Sequence, residues 1–406
     1  MKAVNLCKIP ELGRTLTTAI AAFNSKKSLT YTEFSLRSEN FRANQSHPMT
    51  KIHRMNRRQF IQYSSLTFGS ALLTACTNNN RQASSERVSP TTAPTAANET
   101  LKSVTFGTNW FAQAEHGGFY QAVAKGIYKE HGLEVKIKMG GPQVNGTQLL
   151  MGGAIDFFMG FGSDAIKAVE QGIPKVTVAA IFQKDPQVLI AHPGVGNDSL
   201  EKLKGKPILI SSAANTTYWP FLKAKYGFKD DQKRPYNFNP GPFLADKTAV
   251  QQGYVTSEPL SIQKQGGFEP VVILLADHGY TPYATTIETK KELVEKNPDL
   301  VQRFVDASIK GWYSYLEDPA PANELIKKDN PEMTDEQLNY GLQKLKDYGI
   351  ISSGDAAKLG IGAMTDERWK SLFDTMAQQG VFKKETDYKQ AYTLKFINKG
   401  VEAYKA

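Results

Sequence analysis

Three short stretches and a few single residues of the 406-residue sequence are of types that could do chemistry. Glu115-His116 sets a carboxylate beside an imidazole, a pair suited to general acid–base work or to reading a ligand's donors and acceptors. Gly160-Phe161-Gly162-Ser163-Asp164-Ala165 has the form G-x-G-x-x-A, with Asp185 about 20 residues further on, as in a dinucleotide fingerprint. It falls on the third strand-to-helix turn rather than the first, so a helix start is the simpler reading. Ser163 would cap that helix, and Asp164 would stabilise its first turn or accept from a ligand amino group. Ser211 to Thr217 gathers Ser212, Ala213, Ala214, Asn215 and Thr216 at another helix start. Hydroxyls, an amide and small residues there can hold a phosphate, sulfonate or carboxylate, and one N-cap does not account for them all. Glu258 opens a further helix, where an acid is favourable with or without a ligand. Trp110, Phe161, Trp219 and Tyr283 fall at predicted loop edges, where flat side chains either stack on a flat heterocycle or pack into a core.

Other chemistries lack their residues. The six histidines are scattered and no His-Glu-x-x-His occurs, so no metal site is expected. The two cysteines, Cys7 and Cys76, make neither a disulfide framework nor a Cys-rich cluster. No Ser/His/Asp or Cys/His arrangement has recognisable local context. Neither a catalytic residue nor a cofactor is expected.

The elements that must position these residues begin near Ser103. Short β-type runs alternate with amphipathic helices, which implies βα units and largely parallel sheet. Strands are expected at 103–106, 133–139, 154–159, 175–182 and 207–211, then 254–256, 270–275 and 283–287, with a helix at 245–252. Helices alone follow residue 290. The pattern divides the body into a first lobe, 103–192 with 284–390, and a second lobe, 193–283, leaving 391–406 as a tail. Crossings would lie near His192 and Tyr283. Such a chain places a ligand cleft between lobes, at the C-terminal ends of the strands.

The first hundred residues read as an address. Residues 1–76 hold eleven Lys/Arg against three Asp/Glu, whereas 77–406 hold 38 against 37. A nearly neutral body offers no field for nucleic acid. Residues 55–76 run from Arg57-Arg58 through a small and apolar stretch to Leu73-Thr74-Ala75-Cys76, the build of a secretory signal. The arginine pair is similar to a twin-arginine export signal. The closing four residues resemble a bacterial lipobox, in which Cys76 would become the acylated first residue of the mature chain. Residues 1–54 then precede a complete signal and read as an over-long gene start or an extension. Residues 77–102 are polar, small and Pro-containing, the composition of a flexible tether.

Five segments in order carry a family likeness. They are Thr108-Asn109-Trp110-Phe111 with Ala124-Lys125-Gly126-Ile127-Tyr128, Gly132-Leu133-Glu134-Val135, Gly153-Ala154-Ile155-Asp156-Phe157, Leu203-Lys204-Gly205-Lys206 and Gly253-Tyr254-Val255-Thr256-Ser257-Glu258-Pro259. Together they resemble type II periplasmic solute-binding proteins, in the group that includes sulfonate, nitrate and thiamine-pyrimidine-precursor binders. Thr256 stands where that group has an acid. The resemblance implies an α/β fold of two lobes, each a mostly parallel sheet flanked by helices. It implies a small-molecule ligand, reversibly held by Asn109, Trp110, Glu115, His116, Phe161 and the other residues above. It also implies a periplasmic monomer, lipid-anchored to the membrane, that serves the permease subunits of an ABC importer. The same group includes a thiamine-pyrimidine synthase that uses pyridoxal phosphate, iron and its own histidine. Aligned here, its histidine falls on Asp164, its lysine near Gly160, and its cysteine cluster on residues 279–283, which contain no cysteine. The likeness therefore implies the fold without that chemistry.

Overall fold

The computed structural model describes residues 101–405. The expected extension 1–54, the signal 55–76 with Cys76, and nearly all of the tether 77–102 lie outside the described residues. Strand β1 starts at Lys102, where the polar tether gives way to the alternating Val104 and Phe106, both buried.

Among the described residues ten strands form two five-stranded sheets. The first sheet contains β1 (Lys102–Gly107), β2 (Leu133–Lys138), β3 (Phe157–Phe161), β4 (Lys175–Phe182) and β10 (Ala284–Lys290), in the order β2-β1-β3-β10-β4. The second contains β5 (Gln187–Ala191), β6 (Ile208–Ile210), β7 (Lys233–Pro235), β8 (Val250–Tyr254) and β9 (Val271–Leu274), in the order β7-β6-β8-β5-β9. In each sheet four strands run one way and a single strand opposes them. That strand, β10 or β5, is the one arriving from the other lobe. The sheets are therefore mixed, with parallel βα units broken only where the chain crosses.

Two boundaries differ from the sequence expectation. The first crossing lies at 183–186, not near His192, because Gln187–Ala191 is a strand of the second sheet. All five of its residues are buried, with β8 on one side and β9 on the other, so it shows no polar/apolar alternation to reveal it. The segment expected as a helix at 245–252 is instead the approach to β8, whose residues pair with both β5 and β6. Sheet pairing overrides a helical pattern there. The presumed tail is also structured. Tyr392 bridges to Thr177, and Phe396, Ile397 and Tyr404 are buried against the first lobe.

The first lobe's core explains how Glu115 and His116 are placed. The helix Pro298–Glu317 lays Phe304 face to face with Phe157, ring centroids 4.0 Å apart, and sets Trp312 edge-on to Phe119 and Phe182. The helix Gly117–Ala124 follows His116 directly and packs on this long helix. A Cβ on Gly118 would fall 2.2 Å from the Trp312 ring, so only glycine allows the approach. The Lys175 ammonium, at the start of β4, lies 2.6 Å from Asp164 and 2.7 Å from Glu288 of β10, and both Lys175 and Glu288 are fully buried. Among the described residues no helix is long and apolar enough to cross a membrane.

Candidate functional site

The cleft lies where the C-terminal ends of β1 and β3 face those of β6 and β8. From the first lobe, the loop after β1 supplies Asn109, Trp110 and Gln113, and a single 3-10 turn, Ala114–His116, supplies Glu115 and His116. Met159 and Phe161 come from the end of β3. From the second lobe, Ser211, Ala213 and Ala214 follow β6, and Gln252, Gly253 and Tyr254 end β8. Gln187 stands at the crossing itself. Ser257 and Glu258 start the helix Glu258–Gly266. Together these residues bound an inner chamber between the lobes.

Hydrogen bonds fix the polar groups of this chamber. Glu258 accepts from the Tyr254 backbone N–H at 2.8 Å and from the Tyr236 hydroxyl at 3.1 Å. Gly253 permits this, since a Cβ there would meet the Glu258 Cβ at 2.8 Å. Gln252 Oε1 accepts from the Ser211 N–H at 2.6 Å and the Tyr218 hydroxyl at 2.8 Å. Across the lobes, Thr256 donates to Glu115, and the Ser257 hydroxyl donates to Gln113 Oε1 at 2.5 Å. The Trp110 ring stacks on Tyr236 at 6.1 Å and meets Phe238 edge-on. These contacts hold the two lobes together around the chamber.

Burial governs the electrostatics. Removal from water pushes the Glu258 carboxyl up to about 7, with the nearby Glu115 charge adding to the rise. It raises Glu115 as well, against the hydrogen bond from Thr256. His116 is held down at about 4 by the same desolvation and is neutral at physiological pH. Its Nδ1 accepts from the Gln113 N–H, and its buried Nε2 has no partner among the described residues.

Eight of the fifteen residues expected to bind ligand line the inner chamber: Asn109, Trp110, Glu115, His116, Phe161, Ala213, Ala214 and Glu258. Ser212, Thr216 and Asp164 line an adjoining outer chamber instead. Four are elsewhere. Ser163 is buried against the Tyr280 hydroxyl at 3.1 Å. Asn215 points to the Ser212 carbonyl and to Lys233 on the surface. Trp219 is core, its indole N–H donating to Asp230 at 2.9 Å and its ring edge-on to Phe228. Tyr283 is buried with Trp369, donates to Asp355 and lies under the Arg368 guanidinium. The anion-holding role expected of the Ser211–Thr217 turn loses most of its donors. The Ser211 N–H goes to Gln252, the Ser212 N–H to Pro142, and those of Ala214, Thr216 and Thr217 back into the turn.

Sequence reasoning missed the amides Gln113, Gln187 and Gln252. Their meaning arises from position alone. Strand alternation turns Gln252 toward Ser211 and Tyr218, whereas its neighbour Gln251 is on the opposite face of β8.

The residues do not fit a pyridoxal phosphate and iron centre. Asp164, at the histidine position, is paired with Lys175, and Gly160, near the lysine position, has no room for a side chain, since a Cβ there would fall 2.2 Å from the Glu288 carboxylate. Among the described residues no group of three His, Cys, Asp or Glu is arranged to hold a metal.

With that geometry, the sequence matches the family described as "NMT1/THI5 like" over residues 113–322, just over half of the chain. It is 27% identical over 342 residues to the riboflavin-binding protein RibY of Chloroflexus aurantiacus, covering 81% of this chain and 95% of that protein. It is 24% identical to the 4-amino-5-hydroxymethyl-2-methylpyrimidine phosphate synthase THI11 of Saccharomyces cerevisiae, covering 62% of this chain and 77% of that one. The alkanesulfonate-binding protein SsuA from Xanthomonas axonopodis pv. citri, solved with MOPS, shares the fold at a TM-score of 0.53 and 14% identity. That match covers 72% of this chain and 98% of SsuA. The chain belongs to the NMT1/THI5-like family of solute-binding proteins, built on the two-lobed periplasmic binding-protein fold.

Proposed function

We propose that this chain is the lipid-anchored binding component of an ABC importer, and that it holds a flat, nitrogen-containing heterocycle between its lobes without altering it. The inner chamber carries this reading. The Trp110 and Phe161 rings line it beside the neutral His116 imidazole and the buried carboxyls Glu115 and Glu258. Rings supply stacking surface, and the polar groups read the donors and acceptors on a heterocycle's edge. An inorganic anion or sulfonate would face two carboxyls, with no Lys or Arg among the lining residues. The names of two relatives, one binding riboflavin and one making an aminopyrimidine phosphate, point to the same ligand class. Lobe closure about residues 183–186 and 275–283 would bury the ligand and present the closed form to the permease.

Isothermal titration with riboflavin, an aminopyrimidine, nitrate and ethanesulfonate tests this. A heterocycle should bind with a Kd of roughly micromolar or below, and the anions should not. Binding of the anions alone would overturn the reading.

A further inference from the structure

Two backbone turns meet across the lobe boundary at one wall of the inner chamber. On the first lobe, the 3-10 turn Ala114–His116 is fixed at its approach, where Asn330 donates to the Ala112 carbonyl at 2.9 Å. On the second, residues 255–257 turn between β8 and the helix Glu258–Gly266. There the Val255 N–H donates to the Pro186 carbonyl and the Ser257 N–H to the Tyr254 carbonyl, each at 3.0 Å. The helix Asp335–Asp347 of the first lobe lies against both turns. Gln337 donates to the Ser257 carbonyl at 2.9 Å, and a Cβ on Gly341 would fall 2.7 Å from the Ala114 Cβ and 3.1 Å from the Thr256 carbonyl oxygen.

With both backbones pinned, what remains to be set is the aim of the Glu115 side chain between them. Thr256 supplies the one side chain that hydrogen-bonds to the Glu115 carboxyl among the described residues, and both residues are buried. The ionisable neighbours of that carboxyl are His116 on its own turn, Tyr315 on the helix Pro298–Glu317, and Tyr254 and Glu258 on the second lobe. None is a cation at neutral pH, since burial keeps His116 neutral and holds the protons on the tyrosines. Burial raises the Glu115 pKa, and the Thr256 hydroxyl is the side chain that opposes the rise.

Resting on the heterocycle reading above, we propose that Thr256 is a positioning residue for capture: from the opposite lobe, its hydroxyl holds the Glu115 carboxyl aimed as the acceptor for a ring N–H of the heterocycle. A carboxylate only accepts, whereas a carboxylic acid also donates, so the protonation state of Glu115 decides which ring edge fits. A hydroxyl donating to Glu115 favours the accepting form. Thr256 does not line the chamber, so it governs affinity through Glu115 alone.

Thr256→Val and Thr256→Ala remove the hydroxyl, the first at nearly constant volume, and Thr256→Ser restores it. In the free protein, carbon-13 NMR of glutamate-labelled samples follows the Glu115 carboxyl, assigned through Glu115→Gln. Its titration should move to higher pH in the Val and Ala variants and return with Ser. Ser257→Ala removes the neighbouring bond to Gln113 and should leave that titration in place. An unmoved titration without the hydroxyl would overturn the proposal. So would an equal shift in Ser257→Ala, which would trace the effect to loosened lobes. Calorimetric titration with riboflavin and with 4-aminopyrimidine at pH 5, 6, 7 and 8 adds the binding readout. Whichever probe the wild type binds should bind about 10-fold more weakly to Thr256→Val, the loss expected of one hydrogen bond to a charged group. On acidification its affinity should begin to fall at a higher pH than in the wild type. Equal affinity with an equal pH profile would overturn the proposal. Binding of neither probe by the wild type would instead overturn the heterocycle reading, and the NMR titration would still decide whether Thr256 positions Glu115.

Discussion

The Gln113 backbone N–H donates to His116 Nδ1 at 3.2 Å, and this one bond decides what the imidazole can do. With Nδ1 accepting, the neutral ring of this chamber-lining residue carries its proton on Nε2, which is buried and has no partner among the described residues. A buried donor without an acceptor is unfavourable until a ligand supplies one. His116→Phe should therefore weaken ligand binding by roughly 10-fold or more while leaving melting temperature unchanged or higher. Calorimetric titration beside thermal melting checks both. Full affinity in the variant would mean that Nε2 does not meet the ligand.

Burial of Glu258 makes stability depend on pH in a definite direction. Its folded pKa, near 7, exceeds the ordinary carboxyl value, so the folded protein binds more protons than the unfolded chain between about pH 4.5 and 7. Stability should fall as pH rises through that interval, and Asp185, also near 7, acts in the same sense. Glu258→Gln should flatten part of this decline, because its amide stays neutral throughout. Urea denaturation at pH 5, 6 and 8 checks the slope. An unchanged pH dependence in the variant would show Glu258 to be no source of it.

Two tryptophans that look alike in sequence should separate by experiment. Trp110 is half-buried on the cleft wall, whereas Trp219 is buried in the second lobe and hydrogen-bonded to Asp230. Trp110→Ala should weaken ligand binding about 10-fold with a small loss of stability. Trp219→Ala should cost roughly 3–5 kcal/mol of stability. Chemical denaturation and ligand titration on both proteins distinguish the roles, and the reverse pattern would exchange them.

The contrast between these residues also shows how far the sequence could be read. Period-two strands such as Leu133–Lys138 and the order of βα units were legible because one face of each is buried. Gln187–Ala191 was not, because a strand buried on all sides loses its alternation. Trp110 and Phe161 lie at strand ends and reach the cleft. Trp219 and Tyr283 carry the same signal but turn inward, toward Phe228 and Trp369. Whether an aromatic at a loop edge faces ligand or core depends on which neighbouring helix covers it, and that is a tertiary fact. The glutamines at 113, 187 and 252 gave no motif at all. Gln113 gains its partner, Ser257, across the lobes, whereas Gln187 and Gln252 are placed by strand pairing within the second sheet.

The proposed lipid anchor would be carried by Cys76, outside the described residues. Cys76→Ser should move the protein from the membrane fraction to the soluble extract in a bacterial host that processes lipoproteins. Fractionation and immunoblotting check it, and unchanged membrane association would remove the lipid anchor.

Reversible binding without chemistry is most directly tested by recovering the ligand. The protein is saturated with whichever small molecule titration shows it to bind, incubated with pyridoxal phosphate and ferrous iron, and unfolded. Mass spectrometry is then run on the released small molecule and on the intact chain. The expected result is ligand of unchanged mass, recovered in the amount bound, and a polypeptide with every histidine intact. A new pyrimidine product, or a loss of mass at His116 or any other histidine, would contradict the binding reading outright.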